Sequence, residues 1–240
     1  MSYALFGLSG LRFWTPEEVK RRGRIKDKLV DSVESTLLDL NQMWRVLEVD
    51  APLMMPRSAM SAAYDNSDVF VLQDAPGGSE EWALRAETTH GTYEIATKLL
   101  RDTSLRAPLC VYQAGKSFRR ETNDGATAAK HRYNEFYQLE FQCIYGTSTT
   151  APVAETLRTK LLDVVSSLTE RETRLVESDR LPAYATETID IEVLLDDGEE
   201  WREVASTSRR TDFPQIPGQK FEMTVFEVAF GLDRMTVLSR

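Results

Sequence analysis

Residues 109–146 read LCVYQAGKSFRRETNDGATAAKHRYNEFYQLEFQCIYG. Leu109 to Glu121 reads as one strand and Arg132 to Tyr145 as a second, dense in the Phe, Tyr and Ile that suit a pleated, half-buried surface. Between them Thr122 to His131, with Asn123-Asp124-Gly125, offers little that packs. A polar hairpin loop of that length is unusual, and long loops in compact domains generally carry function. Arg119, Glu121, Arg132 and Phe136 all fall at the loop end of strands whose bodies read as apolar. Two guanidinium forks suit phosphate oxygens, a carboxylate accepts from an exocyclic amine, and an aromatic ring stacks on a base. That is the chemistry of a nucleotide site.

The composition sets bounds around this hairpin. At 240 residues, 42% hydrophobic and 28% charged, the chain reads as one globular domain spanning 1–240. Cys110 and Cys143 fall inside the two strands and read as small buried thiols; with His90 and His131 they form no zinc spacing. No signal peptide opens the sequence, and no apolar run approaches the ~20 residues of a membrane span. The expectation is a cytoplasmic protein with no membrane partner. A net charge of −9 argues against gripping a long nucleic acid. The basic run Lys20-Arg21-Arg22 with Arg24, Lys26 and Lys28 reads as a solvated helix face.

Upstream, Thr15-Pro16-Glu17-Glu18 starts a helix: Thr15 caps, Pro16 fits the first helical position and Glu18 completes a capping box. Ile25, Leu29, Val33, Leu37, Leu40 and Trp44 then form one apolar stripe. Val46 to Met55 reads as a strand, Arg57 to Ser67 as a small, polar loop or short helix, Val69 to Gln73 as a strand and Ala75-Pro76-Gly77-Gly78 as a turn. In Leu84-Arg85-Ala86-Glu87-Thr88-Thr89-His90-Gly91, Glu87 precedes a helix expected from about Thr92 to Arg101. There it either holds an amino group or makes a surface salt bridge.

Downstream, Thr147 to Pro152 reads as a linker, and Val153, Leu157, Leu161, Val164 and Leu168 mark a helix running to about Leu175. Thr188 to Leu195 alternates as a strand, Asp196-Asp197-Gly198 is a tight turn, and a strand from Trp201-Arg202-Glu203-Val204 continues to Phe213. Finally Val225 to Phe230 enters a glycine turn and a helix. Arg234 falls in its first turn, where a phosphate would meet a guanidinium and a helix N-terminus together.

These motifs resemble, in order, those of class II aminoacyl-tRNA synthetases. Phe118-Arg119-Arg120-Glu121, a loop, then Arg132-Tyr133-Asn134-Glu135-Phe136 is similar to their motif 2 (about 109–146). The helix and proline-bearing strand of 15–56 resemble motif 1, which builds the family's dimer, and 222–240 resembles motif 3. Two segments resemble glycyl-tRNA synthetases in particular. Leu84 to Gly91 is similar to their L-R-P-E-T-x-x-G, with Ala86 for Pro, and Trp201 to Phe213 to their G-W-x-E … A-D-R-T-D-Y, with Glu200 for Gly and Arg209 for Asp. Val228 and Ala229 depart from the family's motif 3; its Ser at the Ala229 position helps shape the glycine pocket.

The resemblance implies an α+β fold, an antiparallel sheet flanked by helices, that activates a small amino acid with ATP to an aminoacyl-adenylate. It assigns ATP to Arg119 (α-phosphate), Arg132 and Arg234 (γ-phosphate), Phe136 (adenine) and Glu121 (its amino group), with Mg²⁺ helped by Glu203. Arg119 and Arg234 are its catalytic arginines. Glu87, Glu140 and Glu227 are expected around the amino acid's ammonium, Arg210 on its carboxylate and Ala229 in the pocket, with glycine the expected substrate. A homodimer is expected. The family's anticodon-binding domain is not present in the sequence, so the acceptor is expected to be a tRNA acceptor end, a carrier protein or a small molecule. A non-catalytic synthetase-like binding protein is the remaining alternative.

Overall fold

A computed structural model describes residues 10–60, 64–73, 80–121, 125–147, 152–216 and 222–239. The turn expected at 75–78, Asn123 and Asp124, and most of the linker expected after Thr147 lie outside the described residues. Four helices are described: α1 (Pro16–Leu40), α2 (Thr89–Asp102), α3 (Val153–Thr169) and α4 (Leu232–Leu238). The strands are β1 (Arg45–Glu48), β2 (Met54–Pro56), β3 (Val71–Leu72), β4 (Trp82–Leu84), β5 (Leu109–Phe118), β6 (Glu135–Gly146), β7 (Thr173–Glu177), β8 (Ala185–Leu194), β9 (Trp201–Arg210) and β10 (Met223–Gly231). The main sheet has seven strands in the order β1-β5-β6-β10-β9-β8-β7, and β2-β4-β3 form a small second sheet. Every pair is antiparallel except β1, which lies parallel to β5.

The main sheet has two unlike faces because its strands alternate. On β6, Leu139, Phe141 and Cys143 point to one side, and Gln138, Glu140 and Gln142 to the other. The first set joins Phe226, Val228 and Phe230 of β10 and Ile191 and Val193 of β8 in one buried core. Ile25, Leu29, Val33 and Leu37 of α1, Leu157, Leu161 and Val165 of α3, and Met235 of α4 cover that face. Each such buried side chain contributes ~1.5–3 kcal/mol, so the apolar stripe holds α1 to the sheet more firmly than helix propensity does. The α1 start is as read: Thr15 Oγ1 accepts from Glu18 N, Glu18 Oε2 accepts from Thr15 N, and Pro16 stands in the first turn.

The opposite face is polar yet largely buried. Gln113, Glu140, Ala229, Ser206 and Asp190 stand in register across β5, β6, β10, β9 and β8. The next row is Val111, Gln142, Glu227, Ser208 and Thr188. The hairpin strands are therefore apolar on both faces only near α2; toward the loop this face is polar, not apolar throughout as expected. At one end of this face Tyr93, Ala96 and Leu100 of α2 pack on Leu109, Val111, Ile144 and Val225. The other end is open and forms the cleft described below.

Several boundaries differ from expectation. β5 ends at Phe118 and β6 begins at Glu135, so Arg119, Glu121 and Arg132 stand just outside the strands, while Phe136 lies within β6. The strand expected from Val46 to Met55 is two, β1 and β2, separated by a stretch that includes Pro52. Helix α2 starts at Thr89 rather than Thr92. Helix α3 stops at Thr169, where Glu170 takes a left-handed φ of 54°, and Thr173–Glu177 is the edge strand β7 rather than more helix. The basic run on α1 is only partly solvated. Arg21 Nη1 donates to the carbonyls of Thr236 (3.3 Å) and Ser239 (2.7 Å), and Arg22 pairs with Asp233 at 3.1 Å, so these two arginines fasten α4 to α1. Cys110 and Cys143 face each other across β5 and β6 as buried free thiols, Sγ to Sγ 3.6 Å. No helix among the described residues is long and apolar enough to cross a membrane.

Candidate active site

The open end of the polar face is a cleft of about 610 Å³. Its lining includes Glu87, Arg119, Glu121, Arg132, Phe136, Glu140, Glu203, Glu227, Ala229 and Arg234. Of the expected site residues, only Arg210 does not line it. They come from the β4–α2 junction, both ends of the motif 2 hairpin, β9, β10 and the first turn of α4.

An acidic pocket occupies the end next to α2. Glu87, Glu140 and Glu227 are 5%, 4% and 6% exposed, and burial on that scale is costly for carboxylates unless they are paired or hydrogen-bonded. The start of α2 meets this need. Glu140 Oε2 accepts from Thr88 N (2.8 Å), from the Thr88 hydroxyl and from Thr89 Oγ1 (3.3 Å). Glu227 Oε2 accepts from Thr89 Oγ1 (3.0 Å), Gln142 Nε2 (2.7 Å) and Arg210 Nη1 (2.7 Å). Glu87 Oε2 accepts from the Tyr64 hydroxyl at 2.8 Å, while its Oε1, 3.4 Å from His90 Nδ1 and 3.8 Å from Arg210 Nη2, has no hydrogen-bond partner among the described residues. Burial, then the neighbouring Glu227 and Glu87 charges, push the Glu140 carboxyl up to about 7. Three carboxylates thus share one close guanidinium, Arg210, and the His90 imidazole.

Glu87 is held here by the residue two positions before it. Arg85, 3% exposed, sends Nε to Lys116 O (2.8 Å) and Nη1 to Ala51 O (2.6 Å), and Phe118 N donates to Arg85 O (2.9 Å). These bonds tie the strand end after β4 to the loop end of β5. Gly115 makes room for them, since a Cβ there would overlap Arg85 Nη2.

Arg210, expected on a substrate carboxylate, is engaged by carboxylates of the protein itself. Its side chain is fully buried, with Nε and Nη2 on Asp212 (3.0 and 2.7 Å) and Nη1 on Glu227 (2.7 Å). Nη2 also lies 3.8 Å from Glu87. Its fork is thus occupied by the protein's own carboxylates, the permanent counter-charge that so many buried acids require.

Arg119 is placed differently. Its Nε donates to Ala86 O (3.2 Å), and its guanidinium lies 5.3 Å from the Phe136 ring centre and 5.5 Å from that of Tyr64. It stands on the boundary between the acidic pocket and the rest of the cleft. Beyond it Glu121 lies 3.7 Å from Arg132, and its backbone N–H donates to Asn134 Oδ1 (2.9 Å).

A basic corner completes the cleft. Arg234 donates from Nε to His131 O (3.2 Å) and from Nη1 to Glu203 O (2.9 Å); Arg202 Nη1 donates to Lys130 O (2.9 Å). Both arginines thereby pin the return leg of the motif 2 loop, where His131 takes a φ of 48°. Burial, with the charges of Arg202 and Arg234 beside it, lowers the His131 imidazole to about 4, so it is neutral at physiological pH. The charges around His131 are thus mainly those of arginines.

Among the described residues no group of three or more His, Cys, Asp or Glu is arranged to hold a metal ion. Glu203 faces Glu192 across the β8–β9 pair, and its carboxylate is 3.5 Å from Arg234 Nη1. Burial, then the Glu203 charge, raises the Asp190 carboxyl, so acidic groups do gather here. This donor set suits an ion such as Mg²⁺, which takes one or two protein carboxylates and completes its shell with phosphate oxygens and water.

Sequence reasoning missed Tyr64, Thr88, Thr89, Gln142, Tyr184, Arg202 and Asp212 as parts of the site. For Gln142 a signal existed: Gln138, Glu140 and Gln142 alternate with Leu139, Phe141 and Cys143, which marks a polar row on an otherwise apolar strand.

Comparison with known proteins identifies the family. A glycine–tRNA ligase of Staphylococcus saprophyticus is 29% identical over 178 residues, 66% of this chain and 38% of that protein. One from Bacillus cereus is 32% identical over 139 residues, 56% of this chain and 30% of that protein. The chain thus spans well under half the length of these relatives. Two solved structures share the fold: Giardia lamblia prolyl-tRNA synthetase in complex with prolyl-adenylate (TM-score 0.70, 15% identity, 98% of this chain and 49% of that one) and Cryptosporidium parvum prolyl-tRNA synthetase complexed with halofuginone and AMPPNP (TM-score 0.71, 14%, 98% and 48%). Residues 49–240 match the model for the tRNA synthetases class II core domain (F), and the chain belongs to that family.

Proposed function

We propose that this chain activates a small amino acid, glycine foremost, by condensing it with ATP to an aminoacyl-adenylate. The observation that carries this reading is the adjacency, in one cleft, of the Glu87–Glu140–Glu227 pocket and Arg119. An ammonium fits the first; an α-phosphate beside a carboxylate fits the second. The adenine stacks on Phe136 with Glu121 near its amino group, and Arg132 and Arg234 hold the γ-phosphate in the basic corner. The amino acid's carboxylate oxygen attacks the α-phosphorus and pyrophosphate leaves, a reaction that asks the protein for positioning and electrostatic stabilisation. Mg²⁺, held by Glu203 and the phosphates, would neutralise phosphate charge.

Arg210 acts here by holding Glu227 and Asp212, so the substrate carboxylate is steered by Arg119 and by the ammonium contacts. Transfer of the aminoacyl group to a tRNA end, or to another acceptor, follows in this reading. Two copies pair through the region of α1 to β2, where Met43 and Met54 are 67% and 50% exposed.

The test is exchange of labelled pyrophosphate into ATP with each of the twenty amino acids. Glycine is expected to be best, with alanine and serine next. Arg119→Ala removes a contact to developing phosphoryl charge and is expected to cost ~3 kcal/mol or more, over a hundredfold. Exchange best supported by an aromatic or charged amino acid would contradict the pocket assignment, and exchange with none would contradict activation.

A further inference from the structure

Ala229 leaves the floor of the acidic pocket with only a methyl group between Glu140 and Ser206, so the floor itself sets little limit on substrate size. Another part of the cleft lining is more specific. Arg210 has two tyrosines against it: the Tyr93 ring, 5.5 Å from the guanidinium carbon, belongs to the core beneath α2, and the Tyr184 ring, 3.8 Å away, lines the cleft. Tyr184 therefore covers Arg210 on the side from which a substrate would approach.

Its backbone is fixed there. Tyr184 O accepts from Thr211 N (2.8 Å) and from Thr211 Oγ1 (3.1 Å), which ties it to the residue after β9. Ala185 N donates to Pro182 O (2.9 Å), closing the turn in which Tyr184 sits. The guanidinium under the ring is itself immobilised by Glu227 and Asp212. The backbone beneath the ring is thus fixed, and the ring itself is held by its 3.8 Å contact with the immobilised guanidinium. Its phenol is raised by burial and then by the charges of Glu87 and Glu227, which puts it in the field of two of the carboxylates assigned to the ammonium.

We infer that Tyr184 is the specificity-determining wall of the amino-acid pocket, excluding side chains larger than the hydrogen of glycine where the floor residue Ala229 does not. This rests on the reading of Glu87, Glu140 and Glu227 as the ammonium site. The residue acts by occupying volume, so its aromatic body matters and its hydroxyl does not.

The experiment compares kcat/KM for glycine and for alanine in pyrophosphate exchange by the wild type, Tyr184→Phe and Tyr184→Ala. Using the ratio within each variant removes general losses of activity. The wild type and Tyr184→Phe are expected to prefer glycine by a similar factor, and Tyr184→Ala to shrink that preference about tenfold or more. Should Tyr184→Ala turn over neither substrate, the melting shifts that glycine and alanine produce beside a non-hydrolysable ATP analogue report the same preference, alanine being expected to gain on glycine. A preference left at the wild-type value in Tyr184→Ala, by either readout, overturns the inference alone. Absence of exchange by the wild type with any amino acid overturns the inference together with the functional reading beneath it.

Discussion

Glu140→Gln separates the charge of the acidic pocket from its shape. The carboxylate uses Oε2 for Thr88 N, the Thr88 hydroxyl and Thr89, all donors that an amide oxygen can accept from, so α2 keeps its seat. What disappears is the charge offered to an ammonium. A charge-assisted hydrogen bond of this kind is worth ~1.5–3 kcal/mol, so KM for glycine is expected to rise roughly 10- to 150-fold while KM for ATP changes little. A pH signature accompanies this. With its carboxyl pushed up to about 7, Glu140 is mostly protonated at pH 6 and mostly ionised at pH 8. In the wild type kcat/KM for glycine should therefore rise by about tenfold between those values, since the free enzyme's ionisation governs that parameter. In Glu140→Gln that part of the profile should vanish. Stability runs the other way: an acid whose folded pKa lies above its unfolded value contributes stability at low pH that is lost as pH climbs through about 7. The assay is initial-rate pyrophosphate exchange at constant ionic strength from pH 5.5 to 8.5. A wild-type profile retained by Glu140→Gln would refute the assignment of Glu140 to the ammonium.

Three other expectations concern the scaffold. A Cβ at Gly91 would overlap the Cβ of Ala51, which has no flexible end to yield, so Gly91→Ala should lose ~1–3 kcal/mol in urea unfolding despite its better helix propensity. Burial raises the Asp233 carboxyl to about 6 against the opposing Tyr137 N–H and Arg22, so its contribution to stability should fall as pH rises from about 4 to 6, and Asp233→Asn should flatten that part of a melting-temperature profile. Met54→Asp places a charge on the exposed side chain assigned to the pairing surface and should yield monomers in sedimentation velocity where the wild type gives dimers.

The parts of the fold that were legible are those whose signals are local. The cap of α1 is written in Thr15, Pro16 and Glu18, and its buried stripe in residues three and four apart. Strand β7 was not legible because it is an edge strand: Thr173–Glu177 carries Arg174 and Glu177, and Leu175 remains 39% exposed, which suits an edge and erases hydrophobic alternation. The true start of α2 was hidden for another reason. Thr88, Thr89, His90 and Gly91 are poor helix formers, and the helix begins there because Thr88 and Thr89 bond Glu140 and Glu227 from distant strands. The same distinction runs through the site. Arg119, Phe136 and Arg234 sit in ordered motifs, whereas Tyr64, Tyr184 and Asp212 come from loops that only the folded chain brings to Glu87 and Arg210. The occupied fork of Arg210 could not be read from its place in Arg209-Arg210-Thr211-Asp212, because the partner that matters most, Glu227, lies on the neighbouring strand.

Oxygen transfer tests the central claim, formation of an aminoacyl-adenylate, without assuming any biological acceptor. The protein is incubated with ATP, Mg²⁺, hydroxylamine and glycine labelled with ¹⁸O in its carboxylate. Attack of that oxygen on the α-phosphorus makes it the bridging atom of the adenylate. Hydroxylamine then takes the glycyl carbon and leaves the oxygen on phosphorus. The account predicts AMP carrying one ¹⁸O together with glycine hydroxamate, both lost in Arg119→Ala. ADP as the nucleotide product, or AMP without label, would contradict it.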